Sequence, residues 1–320
     1  TKAVLRACQK LGIDCFLHER GNSFTHYSLF ENTSIHDLNN TRRLIIEMWK
    51  NADPIEREEK AKQFFEARIK GNVTNWYAFN QDQQDQLPSN WDSKKKNIAI
   101  FNSSEDEVAS ISDEWKNPLY TSQLDGIKQI IRDAAGWDNV HIYLRVHPNL
   151  KNVQNADVEA IRNLSGQNFT VIPPESKLST YFLVRHVDTV LTFGSTVGME
   201  ACYLGKPSVL AGSTFYRTLG GTYDPATHNE LMDLLKQDLL PLDKEVALQY
   251  GYFFSSYGIP FKHYKPEDFA QGTFLGKKVE FTNTLRLQLS RLIFHNKKFA
   301  ALSERLRFRY RERVLNQYRP

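Results

Sequence analysis

The sequence predicts an α/β protein built around a parallel, doubly wound sheet. Between residues 97 and 211, short apolar runs alternate with amphipathic stretches of helical period, an order that implies right-handed crossovers between parallel strands. The distinctive polar clusters of this region each follow directly on an apolar run, where the carboxyl end of a strand would present them to a ligand. With 320 residues and roughly 100–200 residues per domain as the usual size, two domains are expected.

The elements are read in chain order. TKAVLRACQKLG has helical spacing over residues 2–11, and the apolar stretch that follows reads as a strand over 13–18. Helices follow over 36–51 and 54–70. In the second, an acidic first turn, alternating charge and Gly71 as a stop suggest a solvated face with Phe64 and Phe65 turned inward. Residues 81–96, QDQQDQLPSNWDSKKK, are polar, contain Pro88 and read as a linker. Beyond it, strands are expected over 97–102, 140–146, 168–172, 188–193 and 207–211, with helices over 119–135, 155–164, 177–185 and 196–204 between them.

Composition excludes several classes. Apolar residues at 41% and charged residues at 24% describe neither a disordered nor a fibrous chain, and no apolar run reaches the length of a bilayer span. Cys8, Cys15 and Cys202 form no CxxC pair, so neither a disulfide framework nor a cysteine-rich zinc site is supported. The histidines form no HxxxH or HExxH set, and metal independence is expected. Since the chain opens on Thr1 without a methionine, an upstream portion is expected to precede it. Charge is uneven: ten Lys/Arg stand against two Asp/Glu from Arg286 to Pro320, leaving the body mildly acidic.

Four clusters could carry chemistry. FNSSEDE (101–107) follows a strand, so Asp106 or Glu105 could act as nucleophile or base, while Ser103 or Ser104 could equally cap a helix. In YLRVHPNL (143–150), Pro148 constrains His147 towards extended geometry at the sheet rim. There it could donate to a phosphate, with Arg145 as a second donor or as an ordinary ion-pair partner. The third, VDTVLTFGSTVGMEACYLGKPSVLAG (187–212), runs from a strand through Gly194, Ser195, Thr196 and Gly198 into a helix. It collects hydroxyls and amides where a phosphate is stabilised, with Glu200 placed to receive a ribose hydroxyl. It is neither a P-loop nor a GxGxxG fingerprint. The fourth, HERG (18–21), is either a surface turn or, across a cleft from a second α/β domain, a source of a further carboxylate in Glu19.

The strand-end acid, RVHPNL and LTFGSTVGMEACYLGKPSVLAG together resemble the bacterial capsule and lipopolysaccharide glycosyltransferases of the Kdo-transferase type. The resemblance covers about residues 10–30 and 95–220. It implies a GT-B-like fold of two Rossmann-like domains around a cleft, the N-terminal one incomplete in this chain. Residues 1–94 would then be the remainder of the acceptor-side domain with a helical insertion, 95–265 the nucleotide-sugar-binding domain, and 266–320 a basic helical segment. It also implies a CMP-activated 2-keto sugar such as Kdo as donor substrate, no separate cofactor, and a glycan or lipid-linked glycan acceptor in capsule or O-antigen assembly. By position, His147, Ser195 and Thr196 would hold the phosphate and Glu200 the ribose. Asp106 and Glu19 would be the catalytic acids: Asp106 attacks the anomeric carbon in a double displacement, or one of the two serves as base if the enzyme inverts.

The arginine-rich end, with Leu302, Leu306, Phe308, Tyr310 and Val314 at helical spacing, can lie on an anionic membrane surface or dock on the first domain. A cytoplasmic enzyme, peripheral on the inner membrane, is therefore expected, and no nucleic-acid partner. The competing readings are a UDP-sugar epimerase, a CDP-polyol phosphotransferase-like enzyme, and a noncatalytic nucleotide-sugar-binding or scaffold module.

Overall fold

The computed structural model describes residues 2–23, 25–71, 83–103, 111–153, 156–267 and 271–280. Two units are distinguished, residues 1–259 and 260–320. In the first unit, α1 (Lys2–Leu11) leads into an antiparallel hairpin of β1 (Phe16–Arg20) and β2 (His26–Glu31). Two helices follow, α2 (Leu38–Asn51) and α3 (Pro54–Ile69). The carboxylates of Asp37 and Asp53 cap them by accepting from the Asn40 and Glu56 N–H groups at 2.7 and 2.9 Å, and Pro54 opens the second.

The parallel sheet then alternates with helices: β3 (Lys96–Phe101), α4 (Gln123–Asp133), β4 (Val140–Arg145), α5 (Ala156–Arg162), β5 (Phe169–Ile172), α6 (Thr180–His186), β6 (Thr189–Thr192), α7 (Val197–Tyr203) and β7 (Ser208–Leu210). Each element of the expected alternation is present within a few residues of its expected bounds. The five strands lie in the order β5-β4-β3-β6-β7. This is the Rossmann order, in which the chain works outward on one side of β3, then crosses back to β6 on the other and creates a switch point between them. Helices α8 (His228–Lys236) and α9 (Lys244–Ser256) complete the unit.

Alternation along the strands builds two cores. Ile98, Ile100, Ile142 and Leu144 face one layer with Ile127, Ile130, Leu231 and Leu235 of α4 and α8. Ala99, Phe101 and Tyr143 face the other, with Leu183, Val184 and Ala201 of α6 and α7. A third cluster ties the N-terminal helices to the sheet, joining Ile45, Phe64 and Phe65 to Met199, Cys202, Tyr250 and Phe253. Helices α3 and α9 approach closely at Gly251, where a Cβ would sit 2.7 Å from the Phe65 ring and 3.1 Å from the Ala61 carbonyl. Phe65 stacks on Tyr203 of α7 with centroids 4.4 Å apart.

Residues 83–95, expected as a linker, run against the sheet. The Gln84 N–H donates to the Lys177 carbonyl at 2.6 Å, and Trp91 stacks on Tyr143 at 5.3 Å. Around residues 2–71 the hairpin is antiparallel, whereas the five strands of the Rossmann-like sheet pair in parallel throughout. The second unit contains three short antiparallel strands, Tyr264–Pro266, Gln271–Phe274 and Lys277–Glu280. The basic helix expected from 286 onward lies outside the described residues. Among those described, no helix is long and apolar enough to cross a membrane.

Candidate functional site

The register of the sheet decides what meets at the switch point. Phe101 lies opposite Arg145 on one side and Thr192 on the other, while Arg145 lies level with Ile172 and Thr192 with Leu210. The strands thus end flush, and the residues that follow form one row: Asn102 after β3, His147 after β4 and the Gly194–Ser195–Thr196 turn after β6. Asn102, 2% exposed, links two of these ends by accepting the His147 N–H on Oδ1 at 2.9 Å.

His147 is half-buried, and its Nδ1 accepts from the Asn149 N–H at 3.2 Å. That bond assigns the proton of the neutral ring to Nε2. Burial first, and then the neighbouring Arg145 charge, push the imidazole down to about 4, against the opposing pull of Glu200. At neutral pH His147 is therefore an uncharged donor.

The turn after β6 largely satisfies itself. The Thr192 hydroxyl, fully buried, accepts from the Ser195 N–H at 2.9 Å and the Gly194 N–H at 3.2 Å, and Ser195 Oγ accepts from the Val197 N–H at 3.4 Å. Tyr216 donates to the Ser195 carbonyl at 2.5 Å. Of the amides expected to cradle an anion, the Thr196 N–H is the one left over among the described residues. Gly194 adopts φ +119, a value L side chains rarely take. Gly198 serves close packing: a Cβ there would lie 2.6 Å from Tyr216 Oη and 2.9 Å from Thr192 Cγ2.

Glu200 and Thr196 are engaged by a residue that sequence reading assigned to a solvated face. Arg68 of α3 donates through Nε to Glu200 Oε1 at 2.7 Å and through a terminal nitrogen to Thr196 Oγ1 at 2.9 Å. Thr196 Oγ1 in turn donates to Glu200 Oε1 at 3.0 Å. The hydroxyl of Thr196, expected at the phosphate, is thereby saturated within the protein. Glu200, 2% exposed, is held as an internal ion pair instead of standing open. Burial is the largest influence and works against the Arg68 charge, but Glu200 together with Tyr181 and Tyr250 raises the guanidinium above its ordinary value.

Arg145 requires correction as a direct nucleotide contact. Its side chain is 2% exposed and turned inward, and its guanidinium donates to the carbonyls of Pro173 at 2.7 Å, Ser176 at 3.1 Å and Val146 at 3.4 Å. The loop between β5 and α6 offers three backbone acceptors there, which explains the inward turn. Burial pushes the group down to about 10, partly offset by Glu175.

Ser103 is paired reciprocally with Gln123 at the start of α4, N–H to Oε1 and Nε2 to Oγ, each 2.9 Å. Asp106 and Ser104 lie outside the described residues. Glu19, expected at the end of a strand, sits inside β1, exposed and opposite Ser28, because the strand extends to Arg20. Its carboxylate accepts from the Arg20 N–H at 2.8 Å. It also pulls the pKa of His36 upward against the dominant effect of burial. His36 lines a 340 Å³ cavity with Leu5, Leu17 and Ile111. No group of three or more His, Cys, Asp or Glu among the described residues is arranged to hold a metal ion.

Sequence reasoning missed Asn102, Thr192, Tyr216 and Arg68. A polar residue immediately after an apolar strand was a signal for Asn102, whereas nothing local distinguishes Arg68 from its charged neighbours.

A family model described as capsule polysaccharide biosynthesis protein matches residues 75–239, just over half of the chain. The chain belongs to this family. Within it, the matched segment contains the whole parallel sheet and the clusters at 101–107, 143–150 and 187–212, but not HERG at 18–21. The fold resembles that of Thermosulfurimonas dismutans KpsC, beta Kdo 2,4 transferase, with a TM-score of 0.52 at 12% identity, covering 89% of this chain and 82% of that one. KpsC, beta Kdo 2,7 transferase, of the same organism superposes with a TM-score of 0.48 at 17% identity over 91% and 89% of the two chains. A Listeria monocytogenes putative UDP-N-acetylglucosamine 2-epimerase aligns over 53% of this chain and 48% of its own, with a TM-score of 0.34 at 12% identity. At 12% identity the likeness to the 2,4 transferase is one of fold. No curated protein sequence matches the chain.

Proposed function

We propose that this member of the capsule polysaccharide biosynthesis family is a glycosyltransferase that takes a 2-keto sugar, Kdo, from a CMP-activated donor and adds it to a capsule or lipid-linked glycan. The observation that carries this reading is the flush row of donors at the switch point between β3 and β6, the place where Rossmann-type sheets take nucleotides. The named function of the KpsC relatives and the family membership support it further.

In the proposed mechanism the donor phosphate lies over the row. The His147 Nε2–H, the Ser195 hydroxyl and the Thr196 N–H hydrogen-bond its oxygens as charge develops on the departing CMP. Asn102 holds His147 in place through the backbone, and Thr192 with Tyr216 fixes the turn. Glu200, braced by Arg68, stands in the first turn of α7, where a reorganised carboxylate oxygen would accept a ribose hydroxyl. Asp106 is the proposed nucleophile on the anomeric carbon, and Glu19 the group that takes the acceptor's proton.

Isothermal titration with CMP, UDP and CDP tests the reading. Selective CMP binding that is lost in His147→Ala is expected, and incubation with the CMP-activated sugar should then release CMP and leave the sugar on Asp106, detectable by intact mass spectrometry. Preference for UDP or CDP would overturn the donor assignment, and absence of all nucleotide binding would overturn the enzyme reading.

A further inference from the structure

The charges around the row do not balance in the way a phosphate site requires. The donors that would touch the phosphate are all neutral: the imidazole of His147, a hydroxyl and an amide. Arg68 is neutralised by Glu200 at 2.7 Å. Arg42 and Arg217 donate to backbone carbonyls beyond β7, and Arg145 brings a further positive charge two residues before His147 at the end of β4, with only 2% of its surface exposed.

Three backbone carbonyls accept its terminal N–H groups, but its Nε is buried without a hydrogen-bond partner. No carboxylate lies within ion-pair distance of Arg145 among the described residues. The nearby Glu175 is committed to Arg162, whose guanidinium it binds at 2.5 and 3.0 Å. A buried guanidinium without an acid is costly to maintain, and three carbonyls could have been satisfied by neutral groups. We infer that Arg145 is a positioning residue that provides a fixed positive potential behind the phosphate row, stabilising the bound and departing nucleotide phosphate without touching it. The same charge adds to burial in disfavouring the imidazolium of His147, while the Asn149 N–H on Nδ1 leaves the ring's proton on Nε2 as a donor.

The inference rests on the nucleotide reading above, and the experiment separates the two. CMP and cytidine are titrated calorimetrically into the wild-type chain, Arg145→Met and Arg145→Lys, and the His147 imidazole is titrated by NMR in each. Arg145→Met is expected to weaken CMP by about tenfold or more, the size of one lost charge at low effective screening, and to leave cytidine unchanged. It should also shift the His147 midpoint upward, while Arg145→Lys, which keeps the charge, stays near wild type in both.

Equal loss of CMP and cytidine in Arg145→Met would assign a merely structural role, and unchanged CMP affinity or an unmoved His147 would overturn the inference outright. If circular dichroism shows that the Met variant does not fold, Arg145→Gln replaces it, since its amide can still donate towards Pro173 and Ser176. CMP binding by the wild type upholds the nucleotide reading whatever Arg145 does. Binding of UDP in place of CMP changes only the base, and the comparison is then made with UDP and uridine. Binding of neither refutes both.

Discussion

The ion pair between Arg68 and Glu200 is the joint that fastens α3 to the start of α7, and its removal has a calculable consequence. Glu200 is 2% exposed and the Arg68 side chain 27%, so both charges are well withdrawn from water. Glu200→Gln keeps the shape and an acceptor for Thr196 but leaves Arg68 without its counter-charge. Breaking a buried pair from one side costs about 3–5 kcal/mol. The partial exposure of Arg68 lets water recover some of that, and a loss of about 2–4 kcal/mol is expected. Arg68→Met strands the more deeply buried partner and should cost at least as much. The double variant removes both charges and should lose clearly less than the sum of the singles, with a coupling of about 2 kcal/mol or more between them. Urea unfolding followed by circular dichroism measures all four corners of the cycle, with the slope on denaturant checked for constancy. Singles that each lie within about 0.5 kcal/mol of wild type, or strict additivity, would refute the view that this pair holds the N-terminal helices against the sheet.

Three further outcomes are expected. Because burial and Arg145 lower the His147 pKa from 6.5 to about 4, the unfolded chain binds a proton that the folded one does not over that interval. Stability should therefore fall as pH drops from about 6.5 to about 4, by up to about 3 kcal/mol, and His147→Gln should flatten that slope in urea titrations across pH. Gly198→Ala places a methyl 2.6 Å from Tyr216 Oη, so the melting temperature should fall with a loss of about 1–3 kcal/mol, and CMP affinity should fall with it as the Ser195 carbonyl loses its bond from Tyr216. Asn102→Ala leaves the His147 N–H without its acceptor, at about 1–3 kcal/mol, and should weaken CMP more than cytidine in calorimetry.

Much of the parallel sheet was legible because its information is local. The strands at 96–101 and 189–192 are short and centred on apolar runs, Ile98–Phe101 and Val190–Leu191, as burial on both faces demands. The hairpin strand at 26–31 was not legible, since HYSLFE carries only one buried position, Ser28, and no apolar alternation marks it. Helices α8 and α9 were also missed. They follow the last expected strand, where no further strand gave an alternation to place them against.

At the site, sequence identified which segments meet but not which atoms remain available. Strand-end clusters could be placed together from the order of elements alone, and the register adds that the ends are flush. The use of each polar group is a tertiary matter. Thr192 consumes two amides of the turn that local reasoning offered to a ligand, and Arg68, 132 positions before its partner in the chain, consumes Glu200 and the Thr196 hydroxyl. Arg145 is the sharpest case. A strand-end arginine beside a histidine looks like a ligand contact in sequence, yet three backbone carbonyls turn it inward. The strand ends thus present neutral donors in front of the buried Arg145 charge. That arrangement suits an anion that must be bound and then released, because a fixed potential stabilises the developing negative charge without the direct ion pair that would retain the product.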